Sequence, residues 1–244
     1  DKPGSTHKGY HWVYYSPLEK LVCFDYRKGR GRDGPEEFLG SFQGLLQTDG
    51  YVAYDIYEKK DGITLFGCMA HARRKFEKAK DNDLKRAEYV LERMQQLYLT
   101  EREAREKGLS FEKRKELRVE QSLPVLKELE KWMKEQLPDV LPKSSIGQAI
   151  TYTLGLWNRL TRYIDNGQVE IDNNLIENSI RPVALGRKNY MFAGSHEAAK
   201  QAAMIYSFLG TCKINKVEPY QWLKDVLKQL PDHSIQRLEE LLPH

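Results

Sequence analysis

The sequence predicts an α/β protein in which a sheet of mixed direction is flanked by helices, interrupted by an all-helical insertion and followed by a helical C-terminal segment. Three observations carry that expectation. Up to residue 76, short aromatic and β-branched runs alternate with helical ones in the order β-β-α-β-α-β-α. Residues 77–141 then lose every strand signal and fill with Lys, Glu and Arg around apolar positions at helical spacing. Beyond residue 195 only apolar helical stripes remain.

Pro3-Gly4-Ser5 favours a reversal, so residues 1–8 read as a turn. Residues 10–15 (Tyr-His-Trp-Val-Tyr-Tyr) and 20–26 (Lys-Leu-Val-Cys-Phe-Asp-Tyr) read as a hairpin divided at Ser16-Pro17. The basic loop 27–32 follows, and Pro35 opens a short helix with Phe38, Leu39 and Phe42 on its apolar side. Residues 45–48 form a third strand ending at Asp49-Gly50, residues 51–58 a short helix and residues 63–66 a fourth strand. A helix then begins around Cys68 to Phe76.

In the insertion, Val90, Met94 and Leu97 recur at helical spacing, Gly108 stops that helix, and Leu126, Leu129, Met133 and Leu137 resume the pattern after Pro124. Its mixed charges read as solvated faces. Residues 146–164 form one helix with Ile150, Leu154, Trp157, Thr161 and Ile164 on one side, closed by Asn166-Gly167. Residues 187–195 read as a basic strand or loop, 196–213 as a helix with an Ala199, Ala203, Tyr206, Leu209 stripe, 219–230 as another, and 238–242 as a last short one.

With 244 residues, 40% of them hydrophobic, the chain can bury a real core, and no apolar run reaches the roughly 18 residues of a membrane span. The net charge of +4 is too small to establish a nucleic-acid partner by itself. Three dispersed cysteines, Cys23, Cys68 and Cys212, fit a reducing cytoplasm better than a disulfide scaffold.

Three features could carry chemistry. Asp49 closes a strand and is released into a turn by Gly50, although Asp-Gly is also a common turn. Glu177 follows Asn173 and Asn174, either of which can cap a helix, with Glu177 three residues after Asn174 as in a capping box. Cys68 and His71 begin a basic helix with Arg73, Arg74 and Lys75; lacking further ligands nearby, they read as packing or orienting residues rather than a zinc site. Carboxylates converging from separate elements could hold a pair of Mg²⁺ ions, which take oxygen ligands and serve phosphodiester transfer. Arg73, Arg74, Lys75, Arg181, Arg187 and Lys188 would then contact DNA phosphate without reading sequence.

Four ordered motifs bring a family into view: Gly44-Leu-Leu-Gln-Thr-Asp-Gly-Tyr51, Gly67-Cys-Met-Ala-His-Ala-Arg-Arg-Lys-Phe76, Glu170-Ile-Asp-Asn-Asn-Leu-Ile-Glu-Asn-Ser-Ile-Arg-Pro182 and Leu185-Gly-Arg-Lys-Asn-Tyr-Met-Phe-Ala-Gly-Ser195. With the tail from Ile205 to His244 they closely resemble the transposases of insertion-sequence family sixty-six. The resemblance implies an RNase H-like catalytic domain with a DDE triad, whose parts would be 1–76, a helical insertion at 77–145, the Glu-bearing remainder at 146–195 and a C-terminal segment at 196–244. Asp49 matches the second acid and Glu177 the third, both as ligands of Mg²⁺ or Mn²⁺ in a two-metal site, while Cys68 and His71 match a Cys-x-x-His signature. The first acid, in an Asp-Glu-Thr motif, is absent from the sequence; Asp25 lies on the wrong strand for it and is kept only as a stand-in. These residues alone are therefore expected to be catalytically inactive. The resemblance further implies DNA ends and target as partners, a homo-oligomer assembled on DNA, accessory element-encoded proteins and a cytoplasmic location without membrane. The alternatives are a nuclease of the same fold and a non-catalytic DNA-binding remnant.

Overall fold

The structure, a computed structural model, describes residues 5–243 and divides into two compact units, Ser41–Asn173 and Asp1–Gly40 with Asn174–His244. The expected turn at 1–8 lies partly outside the described residues.

The Ser41–Asn173 unit is built on two parallel strands, β3 (Gly44–Gln47) and β4 (Ile63–Phe66), in register from Gly44 opposite Ile63 to Gln47 opposite Phe66. A 3-10 turn, Val52–Lys59, makes the crossover. The outer edge of β4 is closed by polar groups rather than by a strand: Arg162 donates to the Leu65 carbonyl at 2.8 Å, and the Gly67 N–H donates to the Arg159 carbonyl at 2.8 Å. Helix α2 (Met69–Ala79) buries Met69, Ala72, Phe76 and Ala79, one face at helical spacing.

The insertion adds α3 (Leu84–Glu106), capped by Asp83 accepting from the Arg86 N–H, then α4 (Phe111–Leu117), a π-turn (Arg118–Ser122) and α5 (Leu123–Gln136). Val90, Met94 and Leu97 of α3 and Leu126, Leu129 and Met133 of α5 join Phe66, Met69 and Phe76 in a single apolar core. The insertion is thus packed into the unit. Its charges are not all solvated, as the sequence suggested: Glu101 and Arg118 have no exposure and Arg114 is 6% exposed. Two guanidinium groups neutralise the buried carboxylate, which is what makes that burial tolerable.

The helix expected over 146–164 is broken. α6 (Ser145–Gly155) ends at a glycine, Leu156 leaves helical geometry, and α7 (Trp157–Thr161) restarts before a 3-10 turn, Arg162–Asp165. Gly155 carries the largest backbone entropy cost in a helix, which makes it the natural point of interruption.

In the other unit, β1 (Tyr10–Ser16) and β2 (Leu21–Arg27) form an antiparallel hairpin whose turn ends on Lys20 in the left-handed region (φ +50°). Helix α1 (Asp33–Leu39) stacks Phe38 on Tyr14, ring centroids 3.8 Å apart. Helix α9 (His196–Asn215) covers β2. Ser207 Oγ accepts from the Phe24 N–H at 2.8 Å and Thr211 Oγ1 from the Val22 N–H at 3.2 Å, so hydroxyls on the helix satisfy the strand's outer edge. Gly210 permits the approach, since a Cβ there would sit 2.5 Å from Val22 Cγ1. Helices α8 (Asn174–Asn189) and α10 (Pro219–Gln229) and a 3-10 tail, Ile235–Leu241, complete the unit.

Two expectations change here. Arg187 and Lys188 lie in the last turn of α8, not in a strand or loop, where cations suit the helix dipole; α9 begins only after its cap Ser195. And the strands make no single mixed sheet: among the described residues β1-β2 and β3-β4 are separate two-stranded sheets. The outer edges of β2 and β4 are both occupied by side chains or loop backbone. The protein is mixed α/β but mostly helical.

Candidate active site

Parallel strands present their carboxyl ends as the usual place for a site. Here β3 runs through Thr48, whose N–H donates to the Phe66 carbonyl at 3.0 Å, into Asp49. Gly50 then turns with φ +82°, a conformation natural to glycine, and a Cβ there would stand 2.8 Å from Leu156 Cδ1. Asp49 Oδ1 accepts from the Tyr51 N–H at 2.9 Å, an Asx turn that fixes the half-buried carboxylate. Its main-chain carbonyl accepts from the Tyr152 hydroxyl at 3.2 Å. Burial foremost, then the charge of Asp49, raises the Tyr152 phenol above its ordinary pKa.

Cys68 follows β4 and precedes α2. Its buried Sγ accepts from the Asn173 N–H at 3.4 Å. Burial pushes the thiol up to about 11, opposed by that N–H. His71 lies half-buried one turn into α2. Arg73 pairs with Glu77 at 3.1 Å, Lys75 Nζ stands 4.5 Å from the centre of the Tyr152 ring, and Arg74 and Lys75 are exposed.

The segment 163–173 lies along the same strand ends. Gln47 Nε2 donates to the Gly67 carbonyl at 3.0 Å and the Glu170 carbonyl at 2.8 Å, and the Met69 N–H donates to the Ile171 carbonyl at 3.1 Å. Asp172 is buried and accepts from Tyr98 of α3; burial first, then Asp172, raises that phenol's pKa. Asn173 Oδ1 is buried without a hydrogen-bond partner among the described residues, so its side chain does not provide the helix cap expected of it.

Asp49, Cys68, His71, Arg73, Arg74, Lys75 and Asn173 therefore belong to one unit, while Asn174, Glu177, Arg181, Arg187 and Lys188 all lie on α8 of the other. Glu177 is half-buried in the first turn of α8; Arg181, Arg187 and Lys188 are exposed. Burial and then the Arg187 charge depress the His11 imidazole. Asp25 is held by Arg27 at 2.6 Å. Sequence reasoning passed over Tyr98, Tyr152, Asp172 and the Glu101, Arg114, Arg118 cluster. Glu101 was signalled: it continues the apolar series Val90, Met94, Leu97 on the inner face of α3.

Asp49 supplies an oriented oxygen donor of the kind a hard divalent cation takes. No helix among the described residues is long and apolar enough to cross a membrane, and these residues contain no group of three or more His, Cys, Asp or Glu able to hold a metal ion.

The Ser41–Asn173 unit is an α/β core with a carboxylate just beyond the end of two parallel strands and a helical segment packed into the same core. Comparison with known sequences gives the family. Residues 1–201 match the pattern described as Transposase IS66 family, and residues 207–244 match the IS66 C-terminal element. The chain belongs to the IS66 transposase family. It is similar to three uncharacterized proteins of Sinorhizobium fredii (strain NBRC 101917 / NGR234). With y4jD it is 35% identical over 93% of this chain and 46% of the relative. The corresponding figures are 34%, 88% and 42% for y4hP, and 34%, 98% and 47% for y4qI. The chain thus spans about half the length of the curated relatives it matches. No solved structure matches it.

Proposed function

We propose that this chain is part of the RNase H-like catalytic core of a DDE-type DNA transposase, acting in metal-dependent phosphodiester hydrolysis and strand transfer. The family match over residues 1–201 supports the reading, and the oriented carboxylate of Asp49 at the end of β3 carries it. Asp49 and Glu177 serve as ligands of Mg²⁺ or Mn²⁺. Such ions neutralise charge on the scissile phosphate and lower the pKa of the attacking oxygen. The protein's own residues do the rest. Gly50 and the Tyr51 N–H aim Asp49, Arg74, Lys75, Arg181, Arg187 and Lys188 hold DNA phosphate, and Cys68 anchors Asn173. DNA is the partner, with element ends and target as substrates, and the working form is an oligomer on DNA.

The test is Mn²⁺ binding by this chain, followed by paramagnetic resonance, with Asp49→Asn and Glu177→Gln. Binding weakened about tenfold or more by either change is expected, since each removes a charged oxygen ligand. Unchanged binding in both would overturn the assignment. A DDE site needs a third carboxylate, and the Asp-Glu-Thr motif is not within these 244 residues. No strand transfer with Mg²⁺ is therefore expected from this chain alone; its observation would refute that expectation.

A further inference from the structure

The helical insertion carries two arginines whose positions serve the segment 163–173 rather than the insertion itself. Arg118 starts the π-turn, with no solvent exposure, and fans across three backbone carbonyls in addition to its ion pair. It donates to the carbonyls of Tyr163 at 2.8 Å, Asn166 at 2.6 Å and Val169 at 2.9 Å, and to both carboxylate oxygens of Glu101 at 2.7 and 2.8 Å. Arg114, one turn earlier, forks onto the Glu170 carboxylate at 2.9 and 2.6 Å and reaches the Gly167 carbonyl at 3.3 Å. Tyr98 adds a third hold by donating to Asp172. Beyond these points the segment is tied to the strand ends themselves, Glu170 through Gln47 and Asn173 through Cys68. Gln47 stands two residues before Asp49. An ion pair kept only for stability needs no π-turn and no such spread of carbonyl partners, because apolar residues would pack as well. π-turns inside helices recur at functional sites, where they redirect side chains.

We propose that Arg118, Arg114 and Tyr98 are positioning residues: the insertion is a clamp that fixes the 163–173 segment across the carboxyl ends of β3 and β4, beside Asp49. This deepens the metal-dependent reading above and rests on it for its catalytic meaning, while the clamp itself is testable without it.

The experiment uses Arg118→Lys and Tyr98→Phe. Lysine keeps the charge opposite Glu101 but cannot span three carbonyls. Phenylalanine removes one hydroxyl from a residue that otherwise packs as before. The readout is alkylation of Cys68, which is 2% exposed and covered by Asn173, with exposed Cys23 as internal reference. Faster alkylation of Cys68 by about tenfold is expected in both variants, equivalent to about 1.4 kcal/mol less local stability, and in Tyr98→Phe it is expected at unchanged melting temperature, which separates local loosening from global destabilisation. Cys68 protected as in the parent protein in both variants would overturn the clamp. If Arg118→Lys fails to fold, Tyr98→Phe decides alone. Mn²⁺ binding separates the two claims: faster Cys68 alkylation in the variants of a parent protein that binds no Mn²⁺ upholds the clamp and removes the metal reading.

Discussion

Arg118 Nε and Glu101 Oε1 lie 2.7 Å apart with neither side chain exposed to solvent. Charges taken out of water at that cost are tolerated only when every donor and acceptor is engaged. Here Arg114 completes the carboxylate's shell, and backbone carbonyls complete the guanidinium's. Removing one partner should therefore be far worse than removing both. Glu101→Gln or Arg118→Met is expected to lower unfolding free energy by about 3–5 kcal/mol, and Glu101→Met with Arg118→Met by clearly less. Urea unfolding of the single and double variants measures it; additive losses would exclude the coupling.

The same cluster sets an acid limit. Burial alone would raise the Glu101 carboxyl, but Arg118 and then Arg114 hold it below the ordinary value near 4.5. A carboxyl depressed in the folded state contributes stability above its unfolded pKa and loses it as pH falls through the folded one. Melting temperature should thus decline as pH drops below about 4.5, and Glu101→Gln should flatten that decline. Melts taken from neutral pH down through the carboxylate range check the slope.

At Gly50 the backbone and the neighbours act together. With φ +82° and Leu156 Cδ1 2.8 Å from any added Cβ, Gly50→Ala should destabilise by about 1–3 kcal/mol and displace Asp49. Denaturant unfolding gives the first effect and weakened Mn²⁺ binding the second. A neutral Ala would mean that the Asp49 turn relaxes without consequence.

Much of this was legible in the sequence. Strands ending in Asp49 and at Phe66, the helix from Cys68, and the Val90–Met94–Leu97 stripe all follow from local pattern, because period and turn chemistry are written in adjacent residues. What adjacency does not encode stayed hidden. Arg114 and Arg118 look like solvated charge until α3 and α4 are folded against the 163–170 segment, and Glu101, although its spacing puts it on the inner face of α3, has no partner nearby in sequence, since each is paired across 13 residues or more. The hydroxyls of Ser207 and Thr211 meet β2 from 183 and 189 residues away, so no local pattern could foretell that a helix, not a strand, occupies that edge. The four motifs singled out Asp49 and Glu177 as candidates, whereas Tyr98 and Tyr152 lie outside them and stand out only by their contacts in the folded chain.

Edge protection of β2 makes its own prediction. Ser207→Ala strands the Phe24 N–H in a half-buried setting, and an unsatisfied amide costs about 1–3 kcal/mol. Hydrogen exchange at Phe24 should accelerate in that variant while Val22, still bonded to Thr211, stays protected. Equal exchange at both amides would show that the helix hydroxyls add nothing to the edge.

The DNA contacts proposed for the exposed cations can be weighed against one another through salt. Each phosphate neutralised contributes about −0.9 to the slope of log K against log salt on duplex DNA. Arg74→Ala and Arg187→Ala should each weaken binding uniformly across sequences and reduce the slope by about one, because phosphate contacts carry no base readout. Lys75 offers the sharper test. Its ammonium stands over the Tyr152 ring, and Tyr152 in turn donates to the Asp49 carbonyl. Lys75→Ala should therefore lower both the salt slope and Mn²⁺ affinity, whereas Arg74→Ala should lower the slope alone. A Lys75 variant that changes neither would separate the basic face of α2 from the carboxyl end of β3.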